Sequence, residues 1–376
     1  MKIFFRIVLI LVACYFLSYF RQKPKNQPRV NSPKVLIIQL AKLGDMVCTT
    51  PMFRAVKKTY PEARITVVGN VVNKELLAGN RDVDEYIVWD KKYPFSILND
   101  IKKGKFDFGC VTAPGFDALS LILLANIPMI SAPRIENGWS PYETRSYRLL
   151  RKLVIAKPHR MRSYAPREYL KLLEPIGVFT DDTKKHLYYS EKAAESVSVF
   201  IGGVDFPVGI SPSAGNRIKQ WPAEKFSSVA DHLSDKHKAT VVIIGGPNDN
   251  EEANVMFNHL GHDTRVINLV GRLNIEETKA FISKLKLFIS ADTGPIYIAE
   301  AFGVPTIDIV GPVDENEQPP ISRFHKVIVP SRKGPELFVM NARVYDTEEV
   351  KRQAKCTPVS IVNNEIDLLI SDIIKQ

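Results

Sequence analysis

Asp292-Thr293-Gly294-Pro295 lies between the apolar run Leu287-Phe288-Ile289-Ser290-Ala291 and the helix-compatible stretch Ile296-Tyr297-Ile298-Ala299-Glu300-Ala301. A buried strand that ends in Asp or Thr, followed by Pro in a first helical turn, leaves backbone N–H groups pointing out of the helix start. Those donors and the helix dipole together attract an anion. The same residues also describe an ordinary capped helix, so the reading depends on whether matching chemistry recurs elsewhere in the chain.

Three other stretches carry such chemistry. Gly44-Asp45 comes after the run Val35-Leu36-Ile37-Ile38-Gln39-Leu40. The glycine allows a tight turn with close backbone approach, and the aspartate falls in a first helical turn, where the dipole keeps a carboxylate ionised as a general base for a hydroxyl must be. A first-turn acid with no chemistry fits the local pattern as well. Ser211-Pro212-Ser213-Ala214-Gly215-Asn216-Arg217-Ile218-Lys219-Gln220-Trp221-Pro222 combines small residues that expose backbone N–H groups, Ser213 among them, with a mobile cation at Lys219. A diphosphate could be held there, although Arg217 and Lys219 also read as solvated loop charges. Gly245-Gly246-Pro247-Asn248-Asp249-Asn250-Glu251-Glu252 lets a flat base approach the backbone and offers Glu251 or Glu252 to ribose hydroxyls, or else forms a tight turn with a capping acid. No Gly-Lys-Ser/Thr phosphate loop is present.

Each motif comes after a short apolar run, and those runs set the expected elements. Strands are expected at 35–40, 64–69, 86–89 and 106–111, with a helix over 46–58. A second set is expected at 207–211, 239–244, 265–268, 287–290 and 305–310, with helices over 222–235 and 275–285. Strand and helix alternation predicts parallel sheets covered by helices, and two doubly wound units in tandem predict a ligand cleft between the carboxyl ends of their sheets. Residues 134–205 are irregular and rich in Arg, Lys, Tyr and Pro, which places the domain junction near their end. The expected division is 1–33 for an anchor and linker, 34–205 and 206–330 for two α/β domains, and 331–376 for a tail with an amphipathic closing helix at about 359–373.

The net charge of +10 invites a nucleic-acid reading that its distribution opposes. Seven basic residues (Lys2, Arg6, Arg21, Lys23, Lys25, Arg29 and Lys34) and no acidic one lie in the first 34 positions. The rest of the chain is close to neutral for its size, and no basic stripe interleaved with aromatics is present. The early basic residues bracket the apolar stretch Ile3 to Phe20, broken once by Arg6. No small-residue cleavage site lies after it, and the basic excess on its carboxyl side places the remainder of the chain in the cytoplasm. The expectation is an uncleaved single-pass anchor in the inner membrane that contributes nothing to either core. Cys14, Cys48, Cys110 and Cys356 are scattered, which fits a reducing compartment with no structural disulfide or zinc.

Together these motifs resemble glycosyltransferase family 9, the lipopolysaccharide heptosyltransferases. The likeness rests on Val35-Leu36-Ile37-Ile38 leading into Leu43-Gly44-Asp45 and Thr50-Pro51, Lys219-Gln220-Trp221-Pro222, Gly245-Gly246-Pro247, and Ser290-Ala291-Asp292-Thr293-Gly294-Pro295 through Gly303-Val304-Pro305 to Gly311-Pro312. It implies a GT-B fold, with two Rossmann-like domains facing a central cleft. It also implies an inverting transfer of a sugar, heptose from an ADP-linked donor, to a lipid-linked saccharide at the membrane. By the same resemblance Asp45 is the catalytic base, with Gly44 beside it, and Lys219 contacts the diphosphate. Thr293 and Gly294 bind phosphate through their backbone, Asp292 caps that helix or touches the donor sugar, and Glu251 or Glu252 meets the ribose. Tyr297 stands where many members have His, so a cationic contribution there is lost. No Asp-x-Asp pair lies in a diphosphate loop, so neither a metal nor another cofactor is required, and no nucleic acid is expected. A sugar-nucleotide epimerase of the same architecture, or a non-catalytic nucleotide-sugar-binding membrane protein, remain the alternatives.

Overall fold

In the computed structural model, which describes residues 2–21 and 32–375, the chain divides into two compact units. The first comprises Met1–Lys184 with Val339–Val344, and the second comprises Lys185–Phe338 with Tyr345–Gln376. Residues 22–31, which hold most of the expected linker, lie outside the described residues.

The first unit carries a six-stranded sheet of β1 (Lys34–Ile38), β2 (Arg64–Gly69), β3 (Glu85–Val88), β4 (Phe108–Val111), β5 (Met129–Glu136) and β6 (Ile155–Arg160). All pairs are parallel, in the order β3-β2-β1-β4-β5-β6. The second unit repeats the plan with β7 (Pro207–Ser211), β8 (Thr240–Ile243), β9 (Val266–Asn268), β10 (Leu287–Ala291), β11 (Thr306–Ile309) and β12 (His325–Ile328). Its order is β12-β11-β10-β7-β8-β9, again all parallel. Both are doubly wound sheets whose strand order reverses beside the first strand, at β1/β4 and at β7/β10, and ligands bind such folds at that point. Central β7, β10 and β11 are buried along their whole length, as strands covered on both faces must be.

Three expectations from sequence need correction. No strand was expected at 129–136 or 155–160, where β5 and β6 lie, the second of them inside the stretch read as irregular; Pro133, Pro158, Arg134, Lys157 and Arg160 break the β pattern there. Pro133 is tolerated because β5 has outrun β4 there: β4 pairs only as far as Ser131, and β6 is an edge. The junction falls at Lys184 and not near 205, because helix Glu191–Ile201 packs against helix Ile275–Ile282 of the second unit. Residues 331–376 are no separate tail. Helix Val359–Ile374 buries Val362, Ile366, Leu369 and Ile370 in the core of the second unit, against helix Ala223–His237.

The amino-terminal segment also departs from expectation. Lys2–Phe20 is a helix, yet among the described residues no helix is long and apolar enough to cross a membrane. Its inward stripe of Ile10, Leu11 and Cys14 joins the core of the first unit beside helices Phe116–Leu124 and Arg145–Arg151. Tyr15 Oη donates to Leu149 O over 3.0 Å, Arg21 donates to Leu153 O, and the Arg6 guanidinium lies 5.2 Å from the Phe95 ring centroid. The segment is therefore part of a core.

Candidate functional site

In the second unit, the adjacent strands β7 and β10 release the two loops whose chemistry the sequence singled out. The first loop ends in the turn Arg217–Lys219 and the second is Asp292-Thr293. They meet through an ion pair, with Lys219 Nζ 2.5 Å from Asp292 Oδ2. Gly311, whose φ of +61° only glycine adopts easily, lies near the Lys219 backbone, where a Cβ would stand 3.6 Å from the Lys219 carbonyl oxygen. Arg332 donates to Gly311 O and Val313 O, bracing that turn.

Of the two roles expected for Asp292, helix capping is not the one it takes. Lys219 donates to one of its oxygens and the Tyr297 hydroxyl to the other, while Thr293 is the cap residue, in extended backbone and without a side-chain cap bond. The leading N–H groups of helix Gly294–Ala301 are thus not taken by the Thr293 hydroxyl. Tyr297 is buried, with its hydroxyl on Asp292 and its ring 5.9 Å from Lys185 Nζ. Lys185 is fully buried and paired with Glu300 at 2.6 Å.

Beneath this cluster lies a residue that sequence reasoning missed. Asp308, on β11 in register with Ser290 of β10, is buried, and its Oδ1 and the Ser290 hydroxyl lack a hydrogen-bond partner. Burial first, and then the charge of Asp292, push its carboxyl well above the usual carboxylate range, while Lys219 works in the opposite direction. Its signal was an acid in the middle of the β-branched run Thr306-Ile307-Asp308-Ile309-Val310.

The glycine loop after β8 is shaped by close contacts. Gly246 N donates to Asp249 Oδ2 over 2.7 Å, and a Cβ on Gly245 would sit 2.9 Å from Asp249 Cβ. Of the two acids next in the chain, the Glu251 side chain is 75% exposed and that of Glu252 only 11%. Arg217 reaches both, at 3.4 and 3.6 Å, so this arginine ties the β7 loop to helix Asn250–Asn258. Glu252 Oε2 is buried with no hydrogen-bond partner, which separates two acids that the sequence left equivalent. Ser213 is buried within the same β7 loop.

Asp45 belongs to the first unit, in the first turn of helix Leu43–Thr59, which starts just after β1 at that sheet's own point of reversal. Its Oδ2 accepts Lys42 N over 3.2 Å, an arrangement that fixes the first turn. The loop before it is tied down by buried Gln39, which donates to Thr49 Oγ1 over 3.0 Å and accepts from Ala41 N over 3.1 Å. Asn70 and Asn73 both donate to Ala41 O, at 2.9 and 3.0 Å. Pro51 sits inside the helix and cannot bond the carbonyl four residues back, but the Thr50 hydroxyl donates to that Val47 oxygen over 2.7 Å. Gly44 is buried in the helix and is not among the positive-φ residues, so its expected role in a tight turn is not seen.

Among the described residues, one group has metal-ligand composition: His232, His237 and Asp367. Both imidazoles approach Asp367 Oδ1, at 2.8 and 2.6 Å, and Lys236 Nζ is 2.7 Å from Oδ2. With that ammonium on the carboxylate, the group reads as an ionic tie between helices Ala223–His237 and Val359–Ile374.

Comparison with known proteins gives a consistent picture. The profile of glycosyltransferase family 9 (heptosyltransferase) matches residues 121–341. Lipopolysaccharide heptosyltransferase 3 of Escherichia coli K12 is 27% identical over 285 residues, covering 72% of this chain and 80% of that one. Among solved structures, a family 9 glycosyl transferase from Veillonella parvula superposes with a TM-score of 0.73 at 21% identity, covering 93% of this chain and 100% of that one. The E. coli ADP-heptose lps heptosyltransferase II gives 0.71 at 19% identity, with 90% and 99% covered.

Proposed function

The chain belongs to glycosyltransferase family 9 and is a glycosyltransferase, and from that premise we propose that it transfers a heptose, with inversion, from an ADP-linked donor to a lipid-linked saccharide of lipopolysaccharide core type. The names of its relatives, heptosyltransferases of lipopolysaccharide, support this donor and acceptor. The two parallel-sheet units support the GT-B class for the fold. The lipid acceptor and the apolar amino-terminal helix support work at the cytoplasmic face of the inner membrane.

The single observation that carries the reading is the meeting of Lys219 with the Asp292-Thr293-Gly294 helix start at the β7/β10 reversal point. An ammonium and oriented N–H groups suit a departing diphosphate. In the proposed step Asp45 takes the proton of the acceptor hydroxyl, whose oxygen bonds to the anomeric carbon from the face opposite the leaving group. The bond from that carbon to the diphosphate oxygen breaks, and ADP leaves with its new negative charge facing Lys219 and the helix N–H groups of Thr293-Gly294. A positioned base contributes roughly 10²- to 10⁴-fold, and stabilisation of the leaving group adds a term of similar size.

Asp292 has a positioning role, holding Lys219 with the help of the Tyr297 hydroxyl. Tyr297 thus serves the site through Asp292. Glu252 is the acid proposed to meet the ribose, since its inward oxygen is unpartnered. Lys219 and the helix start supply charge neutralisation, so no resident metal is invoked in this scheme.

The test is product analysis. Purified protein given ADP-heptose labelled in the sugar, with a lipid-linked core saccharide, should move label into the lipid fraction and release ADP in equal amount. Label recovered in an isomeric nucleotide sugar, or no turnover with any such acceptor, would overturn the assignment.

A further inference from the structure

The amino-terminal helix Lys2–Phe20 is apolar on all sides, yet only one side is packed against protein. Ile10, Leu11 and Cys14 face the core of the first unit, while Phe5, Leu9, Val12, Phe16, Tyr19 and Phe20 form the opposite stripe at helical spacing and are exposed. Phe16 is 63% exposed and Tyr19 85%. A helix apolar all round belongs in an apolar medium on every side that protein does not cover. At 1.5 Å per residue the stripe from Phe5 to Phe20 runs for about 23 Å.

Its charge surroundings indicate the medium. The helix carries no acidic residue. Arg148 and Lys152 are exposed on either side of Leu149, whose carbonyl receives the Tyr15 hydroxyl. Lys91 and Lys92 are exposed close in sequence to Phe95, on whose ring Arg6 rests. An apolar aromatic stripe with basic residues beside both ends matches an anionic bilayer, with hydrocarbon for the stripe and headgroups for the cations.

We propose that this stripe is a membrane-docking surface, on which the helix lies in the plane of an anionic phospholipid leaflet while its other face stays packed on the first unit. This differs from the spanning anchor expected from sequence. Crossing a bilayer would surround the helix with lipid, and here the Ile10, Leu11 and Cys14 side is committed to protein. The docking surface deepens the membrane-facing part of the proposed function, and its test contains no nucleotide sugar, so it stands or falls independently of the transferase assignment.

The experiment is sedimentation of the full chain with vesicles of phosphatidylcholine, with and without phosphatidylglycerol. Binding should be strong with the anionic lipid, weaker without it, and reduced by salt. Leu9→Glu with Phe16→Glu should abolish binding while the thermal melt is kept, because both side chains point away from the core. Arg148→Gln with Lys152→Gln should weaken anionic binding roughly tenfold or more and leave neutral-vesicle binding unchanged. Should the Leu9/Phe16 variant unfold, Phe16→Trp supplies a second readout, a blue-shifted emission on adding vesicles. Unchanged binding by a folded Leu9/Phe16 variant overturns the proposal. So does a lipid-free dimer in light scattering that the same variant converts to monomer, since the stripe then belongs to a second copy of the chain.

Discussion

At the scale of single residues, Asp45 and Lys219 are assigned to different tasks and should fail differently. Asp45→Asn keeps the shape of the first turn but removes the base, so turnover should fall about 10²-fold or more while ADP affinity is kept. Lys219→Ala should both weaken ADP binding and slow turnover, since the charge it meets grows as the bond breaks. Steady-state kinetics with ADP titration separates the two, and an Asp45→Asn enzyme with near-normal turnover would leave that residue as a helix-end acid. The acids after the glycine loop make a second contrast. Glu252→Ala should cost roughly tenfold in ADP affinity, about one lost hydrogen bond to a buried partner, whereas exposed Glu251→Ala should change little. The opposite ranking in calorimetry would show that the register is Glu251. Asp308 gives a third, read in pH. Its raised folded pKa means that the folded state holds the proton more tightly than the unfolded chain. Its contribution is therefore full below the unfolded value of about 3.9 and declines as pH climbs toward the folded value. The stability of wild type minus that of Asp308→Asn should thus fall as the pH rises above about 4 in urea titrations. A difference that is flat with pH would mean an ordinary carboxylate.

At the scale of elements, the strands that position the site were legible because buried parallel strands read as uninterrupted apolar runs. Arg64–Gly69 and Pro207–Ser211 fall where the pattern put them, and Leu287–Ala291 differs by one residue. The loops after Pro207–Ser211 and Leu287–Ala291 were singled out by their order of Gly, Ser, Thr and Lys, and the structure brings them together through Lys219 and Asp292. The illegible features depend on contacts that sequence spacing does not encode. The anchoring of Ala41 by Asn70 and Asn73, and Asp308 beneath Asp292, join residues apart in the chain. β5 and β6 were missed because an edge partner tolerates Pro and basic residues that a central strand would reject. The tie around Asp367 is of the same long-range kind. Burial alone would raise its pKa, but hydrogen bonds from Lys236, His237 and His232 outweigh that and hold it well below the usual carboxylate range. Asp367→Asn should therefore cost on the order of 1–2 kcal/mol near neutral pH. The loss should shrink as the pH is lowered through the range where the wild-type carboxyl takes up its proton. Amide exchange should locate the loosening in helix Val359–Ile374, and unchanged protection there would show that its apolar face alone secures it.

At the scale of the whole molecule, the two units have separate cores, and the amino-terminal helix belongs to only one of them. Read from sequence, it was a detachable anchor whose removal would leave both cores intact. The structure reverses that expectation, because Ile10, Leu11 and Cys14 close the apolar surface around helices Phe116–Leu124 and Arg145–Arg151. At about 1.5–3 kcal/mol per buried side chain, reduced for partial burial and a compact unfolded state, deleting residues 1–30 should cost the first unit on the order of 3–5 kcal/mol. That is a large share of the stability of an ordinary domain. The second unit contains the whole of the proposed nucleotide site, and the packed residues of the helix belong to the other core, so it should keep both its melting midpoint and its affinity for ADP. The truncated protein should then melt in two steps, the earlier one belonging to the first unit, with ADP raising only the later one. Transfer to a lipid acceptor should fall with the first unit, since Asp45 lies there. A truncated protein that melts as the full chain does would show that the helix rests on the first unit without supporting it.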